Sequence, residues 1–259
     1  MVGNDAHPVF RELLPSTGGE VDLAAAYAHP VGLDRPWVRA NMVASVDGGA
    51  IGPSGRSRDL SSPADRRVMG VLRGLCDVVL VGAQTARVED YGPVKDRASW
   101  APLRAGRPAT PSVAVVSRTL DLPDGLLTDA PPHARTIVFT VASAPAERRA
   151  HVARHADLEV VDGESVTPAH IVNALAGRGL YRVLAEGGPH LLAEFTASGL
   201  LDELCLTLSP HLLGAGAPRI VAGGPGTPGA PEFVSVQSTP VRMAHLLTAD
   251  DILFARYVR

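Results

Sequence analysis

The sequence predicts an α/β fold: a mostly parallel central sheet with helices on both faces and an antiparallel hairpin at the C-terminal end. Three observations carry that prediction. Short apolar runs bounded by turn residues alternate with helical stretches from Trp37 to about Ser198, the spacing of strand–helix–strand units whose strands are buried on both sides. One run, residues 182–185, passes through Glu186, Gly187 and Gly188 into a helix opened by Pro189. The last two apolar runs, 241–248 and 252–258, flank Ala249, Asp250 and Asp251, and the second alternates with period two, as a hairpin strand does.

Bulk properties bound what this fold can do. With 259 residues, 46% of them hydrophobic, the chain can bury a substantial core. A net charge of −3 leaves no basic footprint for nucleic acid. Cys76 and Cys205 lie far apart without metal or redox spacing, so two buried thiols are expected and no metal centre. The first fifteen residues lack the order of a signal peptide, and no apolar run approaches the ~18 residues that span a bilayer. A cytoplasmic location without membrane contact is the expectation.

Residues 1–36, punctuated by Pro8, Pro15, Gly18, Gly19, Pro30 and Pro36, read as an N-terminal extension with one helical patch at 21–28, wrapping a single domain of residues 37–259. Residues 37–45 form the first strand, closed by the turn residues Asp47, Gly48 and Gly49. A loop over 52–60 leads to a helix capped by Ser62, with Pro63 at its first position and Asp65 in its first turn. Val68, Val71, Leu72 and Leu75 give it an apolar stripe. Arg66, Arg67 and Arg73 make a solvated face from which one could turn inward to hold a phosphate. Residues 77–82 are a buried strand running into a helical start at 83–89. The stretch 90–111, rich in Pro and Gly, is the kind of long loop that is functional or disordered. Strands follow at 112–117, 136–140 and 158–161, with helices at 145–155 and 168–178, the latter capped by Thr167. The strand at 182–185, the helix from Pro189, an apolar strand within 201–210, a Gly- and Pro-dense excursion at 223–231 and the hairpin complete the chain.

The chemistry concentrates where strands end. Gly187 and Gly188 leave the backbone bare ahead of a helix start, whose free N–H groups and dipole attract a nucleotide pyrophosphate; an ordinary tight turn is the alternative. Asp47 sits at a strand's carboxyl end, where ligands of open α/β sheets bind, or simply shapes its turn. Thr85 is placed to donate to a ligand at the next junction. Ser117, Arg118 and Thr119 put hydroxyls and a guanidinium where an adenosine ribose would lie, which suits the 2′-phosphate of NADP better than NAD.

Taken in order, these landmarks resemble the reductase domain of the bifunctional deaminase–reductase of riboflavin biosynthesis and its stand-alone relatives. The matching pieces are 44–48, 61–67, 77–82 with Thr85, Glu89 and Asp90, 116–120, 186–189, 201–204 and 209–210. The resemblance implies a dihydrofolate-reductase-like three-layer fold and commonly a homodimer. It implies NADPH as cofactor, contacted by Val43, Gly82, Thr85, Glu89, Ser117, Arg118, Gly187, Gly188, Pro189, His190 and Leu191. Asn41, Ser57, Arg73 and Glu186 fall where relatives hold a ribityl-phosphate substrate. The reaction implied is reduction of the ribose of 5-amino-6-(5-phosphoribosylamino)uracil to the ribitylamino product. Glu186 would steady the developing charge or bind hydroxyls, and Asp47 would orient the nicotinamide carboxamide or relay a proton. The chain departs from the pattern at Asp59, often Trp in the bifunctional enzymes, and at Asp96, which stands at a usually basic position between Lys95 and Arg97. It carries no zinc-deaminase signature. Those departures leave two alternatives: reduction of dihydrofolate or another pterin on the same scaffold, and a nucleotide-binding module without catalysis.

Overall fold

A computed structural model describes residues 9–14, 19–221 and 238–259. Ten strands form one sheet: β1 (Arg11–Leu14), β2 (Trp37–Ser45), β3 (Val78–Gly82), β4 (Ser112–Val116), β5 (Ile137–Val141), β6 (Asp157–Val161), β7 (Arg182–Ala185), β8 (Glu203–Ser209), β9 (Arg242–Ala249) and β10 (Ile252–Val258), in the order β1–β9–β10–β8–β2–β7–β3–β4–β5–β6. From β8 across to β6 every pairing is parallel, whereas β10, β9 and β1 are antiparallel to their neighbours. The helices are α1 (Leu23–Ala26), α2 (Pro63–Leu75), α3 (Ala83–Val88), α4 (Asp124–Thr128), α5 (Ala146–His155), α6 (Pro168–Gly177) and α7 (Pro189–Ala197). Apart from β1, which the sequence does not announce, the parallel sheet and terminal hairpin are those expected from it; the excursion at 223–231 lies outside the described residues.

Local chemistry explains the boundaries. Ser62 accepts a hydrogen bond from the Asp65 N–H and Thr167 one from His170, each just before a proline that opens the helix. The central parallel strands β3 and β5 are apolar because both of their faces are covered: Val78, Val79, Leu80 and Val81 have no solvent exposure.

Two regions are better ordered than their composition suggests. The described part of the N-terminal extension supplies β1 at the sheet edge and puts Phe10, Leu23 and Tyr27 into the core, with the Phe10 ring 5.2 Å from Phe254. The stretch 90–111 is pinned by two arginines. Arg104 donates to the carbonyl of Cys76 at 2.6 Å, and Arg107 to that of Leu75 at 2.9 Å and to Asp77 at 3.0 Å. These groups cap the carboxyl end of α2, where cations are favoured by unpaired carbonyls and the dipole.

A buried ionic cluster ties the extension to the sheet. Glu203 is enclosed by Arg39, whose Nε lies 2.7 Å away, by Arg256 at 2.7 Å and by the Trp37 indole N–H at 2.9 Å. Burial raises the Glu203 pKa, but Arg39 and Arg256 outweigh it and hold the carboxyl below its usual range. Arg256 also donates to the carbonyl of Ala26 at 2.8 Å. Beside this cluster, His29 and His245 each bury a ring nitrogen without a hydrogen-bond partner. Burial and the surrounding arginines push His29 down to about 2; burial and Arg256 push His245 down to about 4.

Both imidazoles are therefore neutral in the folded chain, while the unfolded chain takes up protons near pH 6.5. Stability is complete above that pH and falls as the pH drops below it, each group costing about 1.4 kcal/mol per pH unit at most, until its own folded pKa is reached. Urea unfolding between pH 8 and pH 5 should show this loss below pH 6.5, and a shallower slope in His29→Asn; identical slopes would rule out His29 as a source.

Candidate active site

The sheet splits beside β7. The β2–β7 ladder runs from Trp37–Arg182 to Ala40–Ala185 and stops, whereas β2 continues to pair with β8 as far as Ser45–Ser209. Beyond Ala185 the chain leans the other way: the Glu186 N–H bonds the carbonyl of Leu80 at 2.9 Å, and the Gly82 N–H bonds that of Gly187 at 2.8 Å. Asn41, Met42 and Val43 thus have no β7 partner and are only half-buried. This is the carboxyl end of parallel strands at a point where neighbours diverge, the position at which open α/β sheets bind ligands.

The Gly187–Gly188 peptide, which is cis, lines the split. Gly187 has φ +96°, a conformation side chains disfavour, and a Cβ on Gly188 would lie 2.5 Å from Thr85 Oγ1. Glycine at 188 therefore lets α7 start against α3. Among the described residues the N–H groups of Gly187 and Gly188 have no hydrogen-bond acceptor, as an anion cradle requires. Pro189 and the exposed His190 open α7, while Leu191 is buried and anchors it.

The side chain of Glu186 is enclosed, only 4% of it exposed. Arg73, from the last turn of α2, turns inward and grips it with a fork: Nε donates to Oε1 at 2.7 Å and Nη2 to Oε2 at 2.6 Å. The hydroxyl of Tyr91 donates to Oε2 at 2.7 Å. Glu186 and burial set the state of their neighbours: the Arg73 pKa is raised, chiefly by the carboxylate, and that of Tyr91, chiefly by burial. The sequence reading gives Glu186 and Arg73 each as substrate contacts but does not foresee their ion pair, and it misses Tyr91; its signal was an aromatic residue two positions after Glu89, at the end of a short helix.

The other candidates divide between the split and its supports. Glu89 accepts from both the N–H and the hydroxyl of Ser57, at 2.7 and 2.8 Å, so these residues hold the loop over 52–61 to α3. Asp47 is exposed and accepts from Ser45 Oγ at 2.5 Å and from the N–H groups of Leu213 and Gly214 at 3.1 and 2.7 Å. These bonds, the Ser45 hydroxyl first, lower its pKa, so the carboxylate braces a loop and remains an acceptor. Ser117 is buried and its hydroxyl accepts from the Leu120 N–H at 2.9 Å, shaping the turn after β4; Arg118 beside it is exposed. Asp59 accepts from the N–H and hydroxyl of Ser54, closing its own loop. Arg97 packs over Trp100, 5.4 Å from the ring centroid, whereas Lys95 and Asp96 are exposed.

The RibD C-terminal domain model matches residues 36–244. The chain belongs to that family. Among its relatives, the 2,5-diamino-6-ribosylamino-4(3H)-pyrimidinone 5′-phosphate reductase of Methanothermobacter thermautotrophicus is 29% identical over 199 residues, covering 74% of this chain and 86% of the relative. The riboflavin biosynthesis protein RibD of Chlamydia trachomatis is 29% identical over 188 residues, 69% of this chain and 47% of that longer protein. A crystal structure of a pyrimidine reductase-like protein from Corynebacterium diphtheriae superposes with TM-score 0.78 at 24% identity, covering 92% of this chain and 98% of that one. Acinetobacter baumannii RibD does so with TM-score 0.67 at 21% identity, covering 86% and 58%. The fold is the dihydrofolate-reductase-like α/β fold of these reductases, as the sequence implied.

Removing one partner of the clamp leaves a buried charge alone. Arg73→Ala should lose about 3–5 kcal/mol of unfolding free energy, and combining Arg73→Met with Glu186→Gln should recover most of it. A loss below 1 kcal/mol (about the worth of an exposed pair) would show that Glu186 is solvated in solution.

Proposed function

We propose that this chain is an NADPH-dependent reductase of riboflavin biosynthesis that reduces the ribose of 5-amino-6-(5-phosphoribosylamino)uracil, or of its diamino precursor, to the ribityl chain. The observation that carries the reading is the placement of the clamped Glu186 directly before the glycine pair, at the split between β2 and β3. Membership of the RibD C-terminal domain family and the reductase names of its relatives support an oxidoreductase acting on a small phosphorylated pyrimidine.

The residues present fit NADPH. The N–H groups of Gly187 and Gly188 suit its pyrophosphate, Thr85 lies against the same glycine, and exposed Arg118 suits a 2′-phosphate. When bound, the coenzyme supplies the hydride; the protein's part is to orient and to stabilise charge. Glu186, gripped by the Arg73 fork, offers a fixed carboxylate to the charge that develops at ribose C1′ and an acceptor to the sugar hydroxyls. Asn41 and Val43 edge the half of β2 that β7 leaves open, where the pyrimidine would lie. Asp47 steadies the loop at 211–214 rather than moving a proton.

No helix among the described residues is long and apolar enough to cross a membrane. A cytoplasmic homodimer belongs to the same reading; exposed Leu13, Leu14, Val241 and Met243 on and beside the outer strands offer apolar surface for it, and sedimentation equilibrium at the monomer mass would exclude it.

Two measurements test the function. Steady-state oxidation of NADPH should occur with the ribosylaminopyrimidine phosphate and not with dihydrofolate; the reverse preference would establish a pterin reductase, and NADPH binding without turnover of either a binding module. In calorimetry, Arg118→Ala should weaken NADPH about tenfold or more, as loss of a charged hydrogen bond of ~1.5–3 kcal/mol implies, while NADH is unaffected. Equal losses for both coenzymes would remove Arg118 from 2′-phosphate recognition.

A further inference from the structure

The clamp on Glu186 is not symmetric, and the asymmetry is set by a residue outside the motifs read from the sequence. A carboxylate has about four acceptor positions, two on each oxygen. An arginine fork alone fills one on each and leaves the two oxygens equivalent. Here the Tyr91 hydroxyl takes the second position on Oε2 at 2.7 Å, so that among the described residues Oε2 accepts from Tyr91 and Arg73 while Oε1 accepts from Arg73 alone. We infer that Tyr91 is a positioning residue of this site, filling Oε2 so that the one remaining acceptor position, on Oε1, is presented to a hydroxyl of the substrate's sugar. The inference rests on the proposed reductase reading and deepens it.

The backbone is built to deliver that phenol. Helix α3 ends in a reversal in which Asp90, at φ +55°, takes the left-handed position usually given to glycine. The Asp90 N–H bonds the carbonyl of Arg87 at 3.3 Å and the Tyr91 N–H bonds that of Ala86 at 2.8 Å, the paired bonds of a Schellman stop. The chain therefore turns back under α3, and Tyr91 meets Glu186 at the end of β7 and Arg73 at the end of α2. The Arg73 guanidinium carbon lies 5.8 Å from the Tyr91 ring centroid, so the ring also supports the fork. Burial keeps the phenol protonated as a donor.

The test is steady-state kinetics of wild type and Tyr91→Phe with the ribosylaminopyrimidine phosphate and NADPH. Phenylalanine keeps the ring and removes one charge-assisted donor. The KM for the pyrimidine should rise about tenfold, while the dissociation constant for NADPH, read by fluorescence quenching, stays unchanged. The kcat at saturating pyrimidine should change by less than the KM, because the phenol aims a binding contact. A residue that only packs would not split KM from kcat in this way. Asp90 gives an independent reading without touching the phenol: Asp90→Gly should keep wild-type kinetics, whereas Asp90→Val, β-branched at a left-handed position, should raise the KM as Tyr91→Phe does. Wild-type turnover with Tyr91→Phe indistinguishable from it overturns the inference alone. Absence of turnover by the wild type overturns the reductase reading and the inference together.

Discussion

The unequal length of two neighbouring strands governs this molecule. β2 has nine residues and β7 only four, and the two are paired from their first residues. A parallel strand of nine residues cannot be matched by one of four, so five residues of β2 run on with a neighbour on the β8 side only. The chain leaving β7 satisfies its backbone groups against β3 instead, because buried N–H and C=O groups must be paired somewhere. The split follows from that accounting, and Glu186 and the glycine pair are placed by it.

Two buried glutamates beside this arrangement show what separates a structural ion cluster from a functional one. Glu203 opens β8 and is surrounded by Trp37, Arg39 and Arg256, with donors on both oxygens from more than one side chain. Its side chain has no solvent exposure. Nothing further can bind it, and it serves to fasten the extension across the sheet. Glu186 follows β7, keeps one acceptor position unfilled and retains slight exposure. Both carboxylates are paired with arginine; only the second has an acceptor position left. Buried charge is costly unless fully paired, so a carboxylate held one bond short of saturation fits the binding role proposed for Glu186.

Much of this was legible in the sequence, for identifiable reasons. Strand and helix positions followed from apolar period and from side-chain caps such as Ser62 and Thr167, which act within three residues. The glycine pair announced itself because only glycine suits Gly187 and Gly188 as they are placed. Partnerships were harder to read. Ser57 with Glu89, and Tyr91 with Glu186, join residues 32 and 95 positions apart, and no local pattern encodes such a meeting. Composition also says little where a few side chains dominate: Phe10, Leu23 and Tyr27 fasten the described part of an extension rich in Pro and Gly, and Arg104 and Arg107 pin a loop whose composition left order and disorder both open.

That last pair of arginines has a consequence for the site. Arg73 stands in the final turn of α2, where the helix would otherwise leave carbonyls unpaired and fray. Arg104 and Arg107 donate to the carbonyls of Gly74, Leu75 and Cys76, immediately after Arg73. The end of the helix is thereby held rigid, and the fork on Glu186 is fixed by residues that touch neither ligand nor carboxylate. A binding group is only as well aimed as the element beneath it. The stretch from 90 to 111 thus serves the site at both of its ends: Tyr91 fills Oε2 of Glu186, and Arg104 and Arg107 immobilise the turn that carries Arg73.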